Sequence, residues 1–258
     1  MKEVTQFIIA RPKPDAASRL ICFPHAGGGP VAFFDWAQNL GPDIECVALQ
    51  YAGRAQRLRD APCLSTEELV RDLQPGFASL MDKPFSFYGH SFGGIVAFEV
   101  ARELRHSGWQ GPEHLFVGAA RPPHLELPFP PIHQLADKEF VEKLQARYGG
   151  IPAVIFQNAE AMEMFLPALR ADFTAYETYY YLPGNPLDVP ITAFAGIEDR
   201  AVVSASVQEW AMHTTAGFDI HDLPGGHFFC PTSLKDIVRS IATRICTERN
   251  KQTSMLAG

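Results

Sequence analysis

Hydrophobic positions in this chain fall into short runs separated by longer amphipathic stretches. Arg19–Phe23, Ile44–Leu49, Phe85–Tyr88, His114–Ala119, Val189–Gly196 and Phe218–His221 are short, apolar and rich in branched or aromatic residues. Such runs predict strands, and near-continuous apolarity predicts strands covered on both faces. Phe7–Ile9 predicts a shorter edge strand. Helical spacing of apolar residues marks Val31–Leu40, the stretch from Ser65 to about Leu80, the residues after Ser91 as far as Ser107-Gly108, a segment starting near Ser204, and Leu234–Ile245. Ser65-Thr66-Glu67-Glu68 has the form of a capping box, and Pro75 predicts a kink in the helix it opens. Residues after Thr247 are expected to fray. Strands alternating with helices in this way predict an α/β protein with a mostly parallel sheet and helices on both faces.

The alternation stops between Arg121 and Asp188. That stretch holds Pro122, Pro123, Pro128, Pro130 and Pro131, then helical patterns over Asp137–Tyr148 and from Ala159 toward Tyr176, and closes with Tyr179-Tyr180-Tyr181. Residues 121–188 are therefore expected to form a helical lid inserted into a core made of residues 1–120 and 189–258. Met162, Met164, Phe165 and Phe173 either pack the insertion's own core or face the site it covers.

Chemistry enters at Gly89-His90-Ser91-Phe92-Gly93-Gly94, a G-x-S-x-G sequence with a strand before it and an amphipathic helix after it. In that context the serine is expected on a sharp, strained turn, where side chains at Gly89 or Gly93 would collide with neighbouring elements. A serine hydroxyl needs a base, and the base needs an orienting carboxylate. Of the nine histidines, His227 lies in a glycine-rich loop after the last strand, whereas the others precede the acid or fall within other elements. The acid lies at the end of a late strand, at Glu198 or Asp199. The loop Pro24-His25-Ala26-Gly27-Gly28-Gly29 follows an early strand, so the backbone N–H groups of Ala26 and Phe92 are the expected oxyanion donors. His25 either braces this loop or meets the substrate. Arg54, Arg57 and Arg59 form a basic loop that is either solvated or a site for an anionic group.

Composition narrows the picture. With 258 residues, 47% hydrophobic and a net charge of −7, the chain is expected to be an ordinary globular protein rather than a general nucleic-acid binder. No apolar run has the length of a membrane span, and the apolar part of the N-terminus is too short for a signal peptide. Five cysteines without C-x-x-C spacing suggest neither a disulfide framework nor a zinc site, and no metal is expected. A cytoplasmic location is the expectation.

The motifs together resemble the type II thioesterases, stand-alone α/β-hydrolases that serve polyketide and nonribosomal peptide synthases. The resemblance rests on Phe23-Pro24-His25-Ala26-Gly27-Gly28, Gln50-Tyr51-Ala52-Gly53-Arg54 with Arg57, Gly89–Gly94, Gly196-Ile197-Glu198-Asp199 and Gly225-Gly226-His227-Phe228, in the family's order. Ala52 stands where proline is frequent and Phe92 where methionine is. The resemblance implies an α/β-hydrolase fold with Asp199 as the acid of a Ser91–Asp199–His227 triad. It also implies hydrolysis of acyl, aminoacyl or peptidyl thioesters on the phosphopantetheine arm of a carrier protein, for editing or product release. No cofactor is expected, a monomer is, and the partners are acyl or peptidyl carrier domains, with His25, Arg54 and Arg57 as candidate contacts to substrate or carrier. An ester hydrolase or acyltransferase working on free small molecules would use the same triad.

Overall fold

Buried on every residue, the inner strands carry the site between two layers of helices. In this computed structural model, which describes residues 6–9, 11–151 and 157–256, the strands are β1 Phe7–Ile8, β2 Ser18–Phe23, β3 Ile44–Leu49, β4 Phe85–His90, β5 Leu115–Gly118, β6 Ile191–Gly196 and β7 Phe218–Leu223. They form one sheet in the order β1-β3-β2-β4-β5-β6-β7. β1 runs antiparallel to β3, and the other neighbours pair in parallel. Every residue of β2 to β6 is buried, whereas β7, at the edge, has only half-buried and exposed positions. β4 lies at the centre, so whatever follows it emerges mid-sheet.

Successive side chains of a strand point to opposite faces, and the core divides accordingly. Ile21 and Phe23 of β2 face one layer with Leu69, Leu73, Phe77, Ile95 and Val96, while Leu20 and Cys22 face the other with Trp36, Ile237, Ile241 and Ile245. The first layer contains helices α2 Thr66–Phe77 and α3 Phe92–His106; the second contains α1 Trp36–Asn39 and the last helix, α7 Pro231–Leu256. Phe87 on β4 anchors the first layer, with its ring centroid 4.9 Å from Phe23 and 5.7 Å from Phe77.

Three expectations shift. Val31–Leu40 is a 3-10 turn over Pro30–Phe33 followed by the single turn of α1. Pro30, Phe33 and Trp36 are three apart and all buried, and 3-10 winding stacks such residues on one side. The segment from Ser204 is likewise a short helix, α6 Ser204–Val207, continued as a 3-10 turn over Gln208–His213. The last helix continues past Thr247 to Leu256, and no glycine or proline interrupts its sequence from 232 onward. At α2 the Ser65 hydroxyl accepts the Glu68 N–H at 3.1 Å, but the Glu68 carboxylate reaches back to the Leu64 N–H rather than to that of Ser65. The chain tightens into a 3-10 turn over Ala78–Leu80 soon after Pro75.

Between β5 and β6 the described residues hold α4 Asp137–Arg147 and α5 Ala159–Glu177, and no strand beyond an isolated bridge from Leu187 to Thr214. The two helices pack through Phe140 and Phe173, ring centroids 5.6 Å apart. No helix among the described residues is long and apolar enough to cross a membrane.

Phe77 is fully buried against Phe7, Phe23 and Phe87. Phe77→Ala is expected to lower unfolding free energy by about 3–5 kcal/mol, read from the urea midpoint at constant m-value.

Candidate active site

The site begins with one unusual backbone. Ser91, between the end of β4 and the first residue of α3, has φ 54° and ψ −120°, a conformation that L-residues rarely adopt. Its N–H donates to the Gly118 carbonyl of β5 at 2.8 Å, which fixes the turn to the sheet. Glycines on either side are a steric necessity. A Cβ on Gly89 would lie 2.3 Å from the Gly93 carbonyl oxygen, and one on Gly93 would lie 2.2 Å from that of Phe23. The strand can therefore reverse into a helix within one residue, and the Ser91 hydroxyl stands at the carboxyl edge of the sheet.

His227 Nε2 lies 2.8 Å from Ser91 Oγ, and His227 Nδ1 lies 2.8 Å from Asp199 Oδ2. With the imidazole neutral, Nδ1–H donates to the carboxylate and Nε2 accepts the serine O–H. The other Asp199 oxygen accepts the N–H groups of Ala201 and Val202 at 2.8 and 3.0 Å, which locks the carboxylate orientation. Asp199 is buried and Glu198 is exposed, so only one of the two candidate acids reaches the histidine. The β6 and β7 loops are sewn together through the backbone: Glu198 N–H donates to the Gly225 carbonyl at 3.0 Å, and Gly225 takes φ 107°. Three residues separated by 28 and 136 positions thus meet in one row.

His90, the last residue of β4, is buried beside this row, its ring centroid 5.8 Å from that of His227. It supports the row, because its Nε2–H donates to the His227 carbonyl at 2.9 Å while its Nδ1 accepts the Tyr88 hydroxyl at 3.2 Å. Burial, then the neighbouring His227 and His25, hold His90 well below the usual histidine range, so it stays neutral. His25 packs edge-on to Phe228, with ring centroids 4.8 Å apart, and its carbonyl accepts the Gly28 N–H at 2.8 Å. It packs within the loop after β2 and also lines the cavity that holds Ser91. Burial first, then His227 and Arg54, lower its pKa from 6.5 to about 4.

Ala26, on that loop, and Phe92, the first residue of α3, lie beside Ser91 in the lining of one cavity of about 30 Å³. Among the described residues neither backbone N–H has an acceptor. The start of α3 adds the partial positive charge of a helix N-terminus. His25 and His227 also line it, and the rest is largely apolar and comes mostly from the segment between β5 and β6, including Leu144, Tyr148, Phe165, Leu169, Phe173 and Tyr176.

Arg54 and Arg57 are placed otherwise than expected for contacts to a carrier. The Arg54 guanidinium is nearly buried and forms a two-pronged pair with Asp172 of α5, both N–O distances 2.7 Å. Arg57 is buried and pairs with Asp72 at 2.7 and 2.8 Å and with Asp60 at 2.8 Å. Both forks are filled by this chain's own carboxylates, and of the three arginines only Arg59 is exposed. Asp172, buried and 118 positions from Arg54, is a partner that the sequence analysis did not single out.

A mostly parallel sheet with a strained serine after its central strand, and an acid and a histidine on the loops after two later strands, defines an α/β-hydrolase fold. The thioesterase-domain family matches residues 18–245, and the chain belongs to that family. The chain is 34% identical over 239 residues to the gramicidin S biosynthesis protein GrsT of Aneurinibacillus migulanus, covering 93% of each. It is 37% identical over 240 residues to the thioesterase PikA5 of Streptomyces venezuelae, covering 92% of this chain and 84% of the relative. Among solved structures it is similar to the type II thioesterase BorB from the borrelidin biosynthetic cluster, with TM-score 0.82 at 32% identity, over 94% of this chain and 97% of the other.

Gly93→Ala is expected to destabilise the fold by about 1–3 kcal/mol, since the clash is with backbone, and to lower turnover per folded molecule. Denaturation together with an active-site titration checks both. Burial of His213, then His124 and Arg102, lowers its pKa to about 4, as for His25. The unfolded chain binds these protons near pH 6.5 and the folded chain only near 4, so stability falls as pH drops through that window. His213→Asn is expected to flatten the dependence by one proton, measured by urea unfolding at pH 4.5 and 6.5.

Proposed function

We propose that the protein hydrolyses acyl, aminoacyl or peptidyl thioesters carried on the phosphopantetheine arm of acyl or peptidyl carrier domains, clearing or releasing chains in polyketide or nonribosomal peptide synthesis. The observation that carries the reading is the row Ser91 Oγ, His227 Nε2, His227 Nδ1 and Asp199 Oδ2, with 2.8 Å at each hydrogen bond. Membership of the thioesterase family, and similarity to proteins named for gramicidin S and borrelidin biosynthesis, supports the choice of thioester and carrier.

The chemistry follows from the geometry. His227 Nε2 takes the proton of Ser91 as Oγ attacks the thioester carbonyl carbon. The carbonyl oxygen becomes an oxyanion facing the free N–H groups of Ala26 and Phe92. As the tetrahedral adduct collapses, the carbon–sulfur bond breaks and the imidazolium returns its proton to the departing pantetheine thiolate. Water then repeats the sequence on the acyl-serine, with His227 as base, and the free acid leaves. Asp199 holds Nδ1–H throughout and stabilises the imidazolium. Neutral His90 and His25 add no competing positive charge beside it. The segment 121–188 acts in this reading as a lid, and its apolar side chains around Ser91 favour an acyl chain over water. The five free cysteines suit a reducing cytoplasm, where carrier-bound chains are made.

The test is a panel of carrier-bound acyl and aminoacyl thioesters set against simple esters and acyl-acceptor mixtures. Turnover of the carrier thioesters is expected, with Ser91→Ala reducing kcat by roughly 10⁴-fold or more. Fast, Ser91-dependent turnover of free esters with none on carrier thioesters would overturn the substrate assignment, and acylated acceptors among the products would point to transfer.

A further inference from the structure

The Ala26 amide belongs to a loop with little structure of its own. What fixes that loop comes from α5. Asp172 Oδ2 accepts the N–H of Gly27, the residue after Ala26, at 2.7 Å, and the same oxygen accepts Arg54 Nη1 at 2.7 Å. Arg54 Nη1 also donates to the Gly28 carbonyl at 3.0 Å, so the arginine grips the loop from its other side. Packing adds a second, independent tie. Gly27 takes φ 74°, and a Cβ there would lie 2.6 Å from Leu169 Cδ1 and 2.9 Å from Phe165 Cζ, both on α5. Phe165, Leu169, Asp172 and Tyr176 fall at helical spacing, so α5 presents one face to this loop. In that otherwise apolar face, Asp172 is buried to 4% exposure.

We propose that Asp172 is a positioning residue for catalysis: through Gly27, and with Arg54, it sets the Ala26 N–H in the place where the oxyanion forms. The helix covering the site is then also one jaw of the oxyanion hole, and the hole is complete only with α5 seated. The proposal rests on the reading of Ser91 as nucleophile. It differs from a role in folding alone because it assigns Asp172 an effect on rate after binding and after folding.

The experiment uses the full chain as wild type, Asp172→Ala, Arg54→Met and the double variant. A fluorophosphonate, whose phosphoryl oxygen needs the same amide donors, reports the limiting labelling rate and the half-saturating concentration. Its end-point counts competent sites. Butyryl-pantetheine gives kcat and KM per competent site, and thermal melting reports stability. Asp172→Ala is expected to lower the limiting labelling rate and kcat by roughly 10–100-fold, the range for a displaced or lost oxyanion donor. Half-saturation and KM should stay within about threefold, as for an interaction made mainly in the transition state. The double variant leaves no buried charge unpaired, so its melting temperature should recover toward wild type while its rates stay low. If Asp172→Ala alone fails to fold, the double variant decides. Rates in the double variant equal to wild type would overturn the proposal, leaving the pair a fold-stabilising one. Wild-type labelling without thioester cleavage would remove the substrate class yet still let the labelling rates judge Asp172, whereas a wild type that does not label would remove the nucleophile and this proposal together.

Discussion

A single residue held at φ 54° is the constraint from which the rest of this site follows. To place a hydroxyl at the open end of a buried parallel sheet, the chain must pass from strand to helix without a connecting loop. That passage strains the backbone by an order of 1–3 kcal/mol and requires neighbours that leave no alternative. Gly118 supplies the carbonyl that holds the Ser91 amide, and Gly89 and Gly93 supply the space. Because β4 is central, β6 and β7 lie to one side and deliver Asp199 and His227, while β2 on the other side delivers the loop with Ala26. The order of strands thus decides which loop can supply which group.

Electrostatics at the site is an exercise in keeping positive charge localised. His25 and His90 flank His227, and burial lowers the pKa of both, so neither carries a positive charge beside the ring that Asp199 faces. His90 spends its N–H on the His227 carbonyl, turning a potential competitor into backbone support. The Arg54 guanidinium, which adds to the lowering at His25, is itself matched by Asp172. One ionic pair therefore neutralises a buried charge and, through the same oxygen, pins the loop after β2.

What the sequence made legible were features with short-range signals. Buried strands show as unbroken apolar runs, and G-x-S-x-G shows because the steric demand is local. Asp199 and His227 were readable as a position class, the ends of late strands, but spacing alone could not separate Asp199 from Glu198; burial of one and exposure of the other does. Arg54 looked like a solvated or anion-seeking residue because its partner lies 118 positions away, on a helix whose packing no local pattern specifies. A trace of Asp172 was present: a lone carboxylate at helical spacing among Phe165, Leu169, Phe173 and Tyr176. The 3-10 turns at Pro30–Phe33 and Gln208–His213 were hidden for another reason, since periods of 3.0 and 3.6 are indistinguishable over so few residues.

The most direct measurement is capture of the covalent intermediate. The protein is mixed with an acyl-carrier thioester, quenched in acid within a single turnover, digested, and its peptides weighed by mass spectrometry. The account predicts the acyl mass on Ser91, appearing before free acid and lost with the kinetics of product formation. Acid released with no adduct ahead of it, or an adduct carried by another residue, would contradict it.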